Sequence, residues 1–391
     1  MSTTHSSRQT ALRTIVRVAA VNLILTCLGV VGIELSFGSW IGARFDPRLH
    51  VRQDVEFRFD VNSLYPSDKP TLYRRDHWGL RGPIPSPDKV AVVTIGGSTT
   101  DQLYLSEGDT WQDRFAAAVD PHRRLIVANA GLDGQSTIGH IAAMRNWLTH
   151  IPGLRPKVVL IYAGINDVFV EGRIDRDGIA APEPLHRLRQ ILEQRSAIVA
   201  TMQSIEGALE ARRGHLTHSA AVLEKARDAR WAPIGDAPAL RAATFRRRSA
   251  YAGRLVTLAG LVRAWGAEPV FMTQPHAFRR LTPAGEPFGL VLSNGEMDPG
   301  MLSLGLFNEE TLATCRRIGV ACLDLAGELP LGLSDFYDIV HYTPAGATKI
   351  GQYVATKLYP TLVGMALIAD WNRSLYAHRN DGIDPVAAPM P

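Results

Sequence analysis

Five short apolar runs, at residues 90–95, 125–129, 158–163, 269–273 and 320–325, are separated by stretches whose apolar residues recur at helical spacing. Strands that alternate with helices are joined by crossover connections, which pair them in parallel and cover both faces of the sheet. The expected architecture is therefore α/β with a parallel, doubly wound sheet. Thr110 and Asp113 have the spacing of a capping box ahead of a helix lined by Trp111, Phe115 and Val119. Before the fourth run, Tyr251, Leu255, Leu258, Val262 and Trp265 repeat along one face of a long crossover helix. Hydrophobic residues make up 46% of the 391-residue chain and charged ones 20%, which excludes disordered and fibrous classes and suffices for a sizeable core.

The start of the chain has a different character. Residues 18–35 are mostly apolar, interrupted strongly only by Asn22 and Glu34 and preceded by Arg8, Arg13 and Arg17. Such a run is just long enough to span a bilayer. Arginines on its N-terminal flank would stay cytoplasmic, placing the rest of the chain in the periplasm or outside the cell if the source is bacterial. No small-x-small cleavage site follows, so residues 1–40 read as a cytoplasmic tail and a single-pass, uncleaved signal anchor in the inner membrane.

Residues 41–88 form a preface, with alternation over 55–61 suggesting an edge strand and turns at Pro66, Pro70, Pro83, Pro85 and Pro87. The main domain is expected over 89–365 and a C-terminal tail over 366–391. Within the domain, 171–238 is too long for a simple connection; Leu188, Ile191, Leu192, Ile198, Val199, Met202, Ile205 and Leu209 suggest a helical cap. A Gly- and Pro-rich loop at 275–307 is expected to form the other wall of a pocket.

Charge is nearly balanced overall, at +4, but residues 183–263 hold 14 Lys and Arg against 7 Asp and Glu, densest at Arg246-Arg247-Arg248. A solvated helix face is the expectation there, and nothing supports binding to DNA or RNA. The three cysteines make no metal site. Cys27 lies in the apolar run; Cys315 and Cys322 could pair in an oxidising compartment, although two separately buried thiols are expected.

Four motifs stand where the chemistry of an open α/β sheet is usually found, at the carboxyl ends of strands. Gly96-Gly97-Ser98-Thr99, Asn129-Ala130-Gly131 and Gly164-Ile165-Asn166-Asp167 each follow an apolar run, and Asp338-Ile339-Val340-His341 precedes a helix whose expected N-cap is Thr343 and whose first residue is Pro344. A serine hydroxyl becomes a useful nucleophile when a base within hydrogen-bond reach removes its proton. His341 can serve as that base for Ser98, with Asp338 holding the imidazole in the correct tautomer and Asp335 as second choice. The N–H groups of Ser98 and Gly131, with the Asn166 amide, could stabilise an oxyanion.

In these blocks the chain resembles the SGNH hydrolases, also called the GDSL esterase and lipase family, over about residues 90–358. The resemblance implies a flavodoxin-like three-layer α/β/α sandwich with a five-stranded parallel sheet. It also implies Ser98 as nucleophile, Ser98, Gly131 and Asn166 as oxyanion hole, His341 as base and Asp338 as its orienting acid. The first block reads Gly-Gly-Ser-Thr in place of Gly-Asp-Ser-Leu, which, with the stretch from Tyr73 to Gly82 and its Trp78-Gly79-Leu80-Arg81-Gly82, is similar to the membrane-anchored bacterial branch. The expected activity is hydrolysis of an ester, with O-acetyl groups on carbohydrate one substrate, through an acyl-Ser98 intermediate and with no metal or organic cofactor. O-acyl transfer to a polysaccharide and a non-catalytic role as an envelope scaffold or glycan-binding protein are the alternatives.

Overall fold

The computed structural model describes residues 3–38, 40, 49, 51–120, 125–169, 220–226, 229–292 and 294–368 and, between 170 and 219, residues 185, 188, 191, 192, 195–199, 201 and 202. Most of the expected cap at 171–238 and of the expected tail at 366–391 lies outside the described residues.

The chain opens with helix α1 (Thr3–Phe37), of which Arg13–Phe37 has a mean hydropathy of 2.1, long and apolar enough by length and composition to cross a membrane. Near its end the Glu34 carboxylate accepts hydrogen bonds from Trp40 Nε1 (2.7 Å), Ser196 Oγ (2.6 Å) and the N–H groups of Ala197 (3.1 Å) and Ile198 (3.2 Å). Strands β1 (Val55–Phe59) and β2 (Thr71–Arg75) follow as an antiparallel pair. The alternation at 55–61 thus belongs to a separate two-stranded sheet, not to an edge of the main one.

Five strands build the main sheet: β3 (Val90–Gly96), β4 (Ile126–Asn129), β5 (Val158–Tyr162), β7 (Glu268–Met272) and β10 (Ala321–Leu323), after β6 (Trp231–Pro233) is counted in chain order. Their spatial order is β4-β3-β5-β7-β10, all parallel, the flavodoxin-like order expected. Side chains alternate across it. Val158, Leu160 and Tyr162 enter one core while Val159 and Ile161 enter the other, so the runs are apolar throughout because both faces are covered.

Helices α2 (Ser98–Asp101), α3 (Trp111–Val119) and α4 (Thr137–Asn146) follow the first two of these strands. The capping box of α3 forms as expected, with Thr110 accepting from the Asp113 N–H, and Trp111, Phe115 and Val119 are buried. Beyond α5 (Ala221–Ala226) and α6 (Pro238–Ala243) comes the crossover helix α7 (Phe245–Ala264), which buries Tyr251, Leu255, Leu258 and Val262. Then follow α8 (Pro299–Ile318), α9 (Leu325–Glu328) and α10 (Pro344–Gly364). α3 and α10 cover one face of the sheet; α4, α7 and most of α8 cover the other.

Three expectations need correction. Residues 275–307 are not one loop: they hold β8 (Arg279–Leu281), β9 (Pro287–Leu290) and the first turns of α8. Within the expected helical cap, 231–233 is a strand, and β6-β9-β8 make a small antiparallel sheet. Cys315 and Cys322 are joined in a disulfide instead of lying apart. Gly319, at the left-handed C-cap of α8 (φ 61°), turns the chain back so that β10 passes the last turn of the helix. Replacing both cysteines by serine should lower stability by about 2–3 kcal/mol, the value for closing a short loop; urea unfolding of the oxidised native protein and the double variant reads the difference.

Candidate active site

Parallel order puts the ends of β3, β4 and β5 side by side, and the strand order reverses between β3 and β5. Ser98 leaves the end of β3 and starts α2, whose free N–H groups favour negative charge. Two glycines make this turn possible. A Cβ on Gly96 would collide with Thr100 and with the Tyr162 carbonyl, and one on Gly97 with the Asn166 amide and the Gln135 carbonyl. A side chain at position 97 would have to displace the Asn166 amide.

Ser98 Oγ lies 2.7 Å from His341 Nε2, and His341 Nδ1 lies 2.7 Å from Asp338 Oδ2 and 2.9 Å from Oδ1. Asp338 Oδ1 also accepts the N–H groups of Val340 (2.9 Å) and His341 (2.8 Å), so one carboxylate sets both the ring and the backbone that carries it. Thr343 caps α10 through the Gly346 N–H, with Pro344 as the first helical residue, as expected. Asp335, the second-choice acid, faces away: it pairs with Lys349 at 2.8 Å. The Tyr337 ring stacks on His341, with centroids 5.6 Å apart and planes 8° from parallel. A hydroxyl bonded to an imidazole that a carboxylate orients can surrender its proton as it attacks a carbonyl carbon.

Asn166 sits beside this turn and donates one N–H to the Gln135 carbonyl (2.9 Å). Asp167 holds it in place. Its carboxylate accepts the Thr137 N–H (3.1 Å) and hydroxyl (2.5 Å) at the start of α4 and pairs with Arg254 (3.0 Å). Burial pushes the Asp167 carboxyl up to about 6, against the lowering pull of Thr137 and Arg254.

Gly131 departs from the expected arrangement. Its N–H donates to Asn129 Oδ1 at 2.9 Å and its carbonyl accepts from Arg75, so this peptide is committed to the interior behind α2 and offers no donor to a substrate. A Cβ here would overlap the Thr100–Asp101 backbone, which is the reason for glycine. Asn129 is a bracket of the same kind, donating from Nδ2 to the Thr100 carbonyl (2.6 Å).

Residues that sequence reasoning missed hold the nucleophile turn from below. The Arg75 guanidinium, on β2, is buried against Asp101 (2.8 Å) and the Gly79 carbonyl (2.5 Å), and Tyr73 donates to Asp101 as well (2.9 Å). Arg81, fully buried, reaches the carbonyls of Asp101 (2.5 Å), Gln102 (2.7 Å) and Leu105 (2.5 Å) and the Glu107 carboxylate (2.6 Å). Gln274 ties Thr99 Oγ1 (2.8 Å) to the Ile165 N–H (2.5 Å), linking the first and third blocks. The one sequence signal for these was the stretch from Tyr73 to Gly82, which holds Tyr73, Arg75 and Arg81; Gln274 had none.

Residues 94–270 match the GDSL-like Lipase/Acylhydrolase family. That stretch of the chain is thus a GDSL-like lipase/acylhydrolase domain. Similar solved structures include a GDSL-like lipase from Bacteroides thetaiotaomicron, 13% identical over 71% of this chain and 91% of its own, with a TM-score of 0.37. Est24, a carbohydrate acetylesterase from Sinorhizobium meliloti, is 13% identical over 70% of this chain and all of its own, with a TM-score of 0.37. A member of the lipolytic G-D-S-L family from Veillonella parvula is 13% identical over 69% and 98%, with a TM-score of 0.38. None of the curated proteins compared with the chain matches it.

Two outcomes follow from the buried charges. Arg75→Met leaves the Asp101 carboxylate buried without its cation and should cost about 3–5 kcal/mol, with part recovered in Arg75→Met/Asp101→Leu; chemical unfolding of the three proteins measures it. A carboxyl whose pKa is higher folded than unfolded favours folding below about pH 4 and loses that contribution as pH rises through its folded value near 6. Compared with Asp167→Asn at each pH, the native protein should therefore lose about 3 kcal/mol of stability between about pH 4 and pH 7.

Proposed function

We propose that Ser98, His341 and Asp338 are the catalytic triad of a membrane-anchored, extracytoplasmic esterase. The observation that carries this reading is the unbroken hydrogen-bond chain from Ser98 Oγ through His341 to Asp338, formed at the reversal point of the sheet. Ser98 Oγ attacks the ester carbonyl carbon and passes its proton to His341 Nε2. The imidazolium, held by Asp338, then protonates the departing alkoxide, leaving an acyl-Ser98. Water activated by the same His341 releases the acid and restores the serine.

The oxyanion is received by the Ser98 N–H, the second N–H of Asn166 Nδ2 and, in place of Gly131, the N–H of Gly134. Gly134 has a left-handed φ of 73° in the tight turn closed by Gln135 N–H to the Leu132 carbonyl (3.2 Å). Space around its Cα is open, and the adjoining Gln135 carbonyl abuts Gly97.

Placement outside the cytoplasm is supported by the three arginines ahead of the apolar part of α1 and by the Cys315–Cys322 disulfide, a bond that persists in oxidising compartments. On this reading residues 1–40 are the tail and anchor, 41–88 a preface that buttresses the nucleophile, and 89–365 the hydrolase domain. Acetyl esters of cell-surface or secreted carbohydrate are the substrates that this location favours.

With p-nitrophenyl acetate, Ser98→Ala and His341→Ala should each lower kcat/KM by about 10³-fold or more while keeping the native circular dichroism spectrum. Asn166→Ala should lower kcat by about 10²- to 10³-fold, the cost of one oxyanion donor. Native turnover that survives Ser98→Ala would overturn the assignment.

A further inference from the structure

The loop that carries His341 also carries an aromatic ring laid flat against it. Tyr337 is buried, and its ring centroid lies 5.6 Å from that of the imidazole, with the planes 8° from parallel. Backbone pairing brings the two residues together: the Tyr337 N–H donates to the His341 carbonyl (2.9 Å), and Phe336 and Tyr342 form an antiparallel bridge. Two rings from other elements pack on Tyr337. Tyr65 of the preface stands 6.0 Å away and tilted, and Tyr104, which follows α2, stands 6.3 Å away and edge-on. Tyr65 Oη donates to the Tyr104 carbonyl (2.5 Å), and Phe59 of β1 meets Tyr104 edge-on at 5.1 Å. The ring beside His341 is thus braced from the preface.

The faces of an aromatic ring carry negative charge density, which attracts a cation within about 6 Å of the ring centroid, and more strongly where water is excluded. His341 is neutral before reaction and a cation once it has taken the Ser98 proton. A contact that favours the cation therefore acts in the transition state more than in the ground state. Burial pushes the Tyr337 hydroxyl well up, so the ring itself stays uncharged. Asp338 on the same loop, Asp133 after β4 and the hydroxyls of Tyr65 and Tyr104 are the titratable groups that act on Tyr337. His276, which feels the Asp338 charge, is pushed down to about 4 by burial and is neutral above that pH.

We propose that Tyr337 is a positioning residue for the catalytic base, its ring face stabilising the His341 imidazolium as the Ser98 proton arrives. Lying flat against the imidazole, the same ring keeps Nε2 turned toward Ser98. The proposal deepens the esterase reading and rests on it for the role of His341.

The test holds the shape of the ring and changes the charge on its face. In the full chain, in detergent micelles, position 337 is filled by phenylalanine (Tyr337→Phe) and by phenylalanine bearing two and five ring fluorines, which withdraw charge from the face. Turnover of p-nitrophenyl acetate is followed against pH. Tyr337→Phe should hold the acid limb of kcat/KM and most of kcat. With five fluorines the acid limb should move to lower pH by about 0.5 to 1 unit, because a base whose cation is less favoured stays unprotonated further down. On the plateau kcat should fall about 3- to 10-fold with KM unaltered, since the imidazolium is less stabilised in the transition state. Tyr337→Leu should match the five-fluorine form; where circular dichroism shows it unfolded, the fluorine series decides. A ring that only fills space predicts no trend along that series. An acid limb and kcat that stay put with fluorination, or a limb that moves to higher pH, would overturn the proposal. Turnover that survives His341→Ala removes the base and this proposal with it, whereas a flat series in an enzyme silenced by His341→Ala overturns this proposal alone.

Discussion

The buried guanidinium of Arg75 joins three parts of the chain that sequence separates widely. It meets the Asp101 carboxylate at the end of α2, the Gly131 carbonyl after β4 and the Gly79 carbonyl of its own hairpin region. A single-turn helix such as α2 cannot hold itself in place, since it makes too few internal hydrogen bonds to offset the ordering of its backbone. Its position is imposed from outside, by Arg75 and Arg81 from the preface and by Asn129 and Gln274 from the neighbouring strand ends. The preface is thus part of the scaffold of the serine turn, and the ionic contact that secures it is shielded from water and from salt.

Much of this could be read from the chain because its signals are local. The five main strands are legible because burial on both faces demands apolar residues at every position, as in Val158–Tyr162. Asp338 and His341 are three residues apart, so one turn brings them together whatever the rest of the fold does. Thr110 and Thr343 cap their helices through contacts within three residues. What could not be read depends on contacts at long range. Arg75 and Arg81 look like ordinary surface charges until Asp101, some twenty-five residues on, is seen opposite them. The direction of the Gly131 N–H depends on where Asn129 turns its side chain. The β6-β9-β8 sheet escaped notice because its strands are three or four residues long and two of them contain proline.

The three blocks that follow strands are not independent modules. Asn166 lies against Gly97, Gln274 spans Thr99 and Ile165, and Asp167 joins the third block to the first turn of α4 and to α7. Asn166, Thr99 and Asp167 are therefore each fixed by a partner on a different element. Such mutual bracing keeps donors aimed at one point without reorganisation, which is what electrostatic catalysis requires of a site.

Glu34, near the end of α1, makes a bracket of a similar kind. Its carboxylate holds Ser196 and the N–H groups of Ala197 and Ile198, at the start of the helical residues 197–199, where an anion is favoured. The end of α1 and the 196–198 segment are consequently one clasped unit: rotation of that helix about its own axis carries the segment with it.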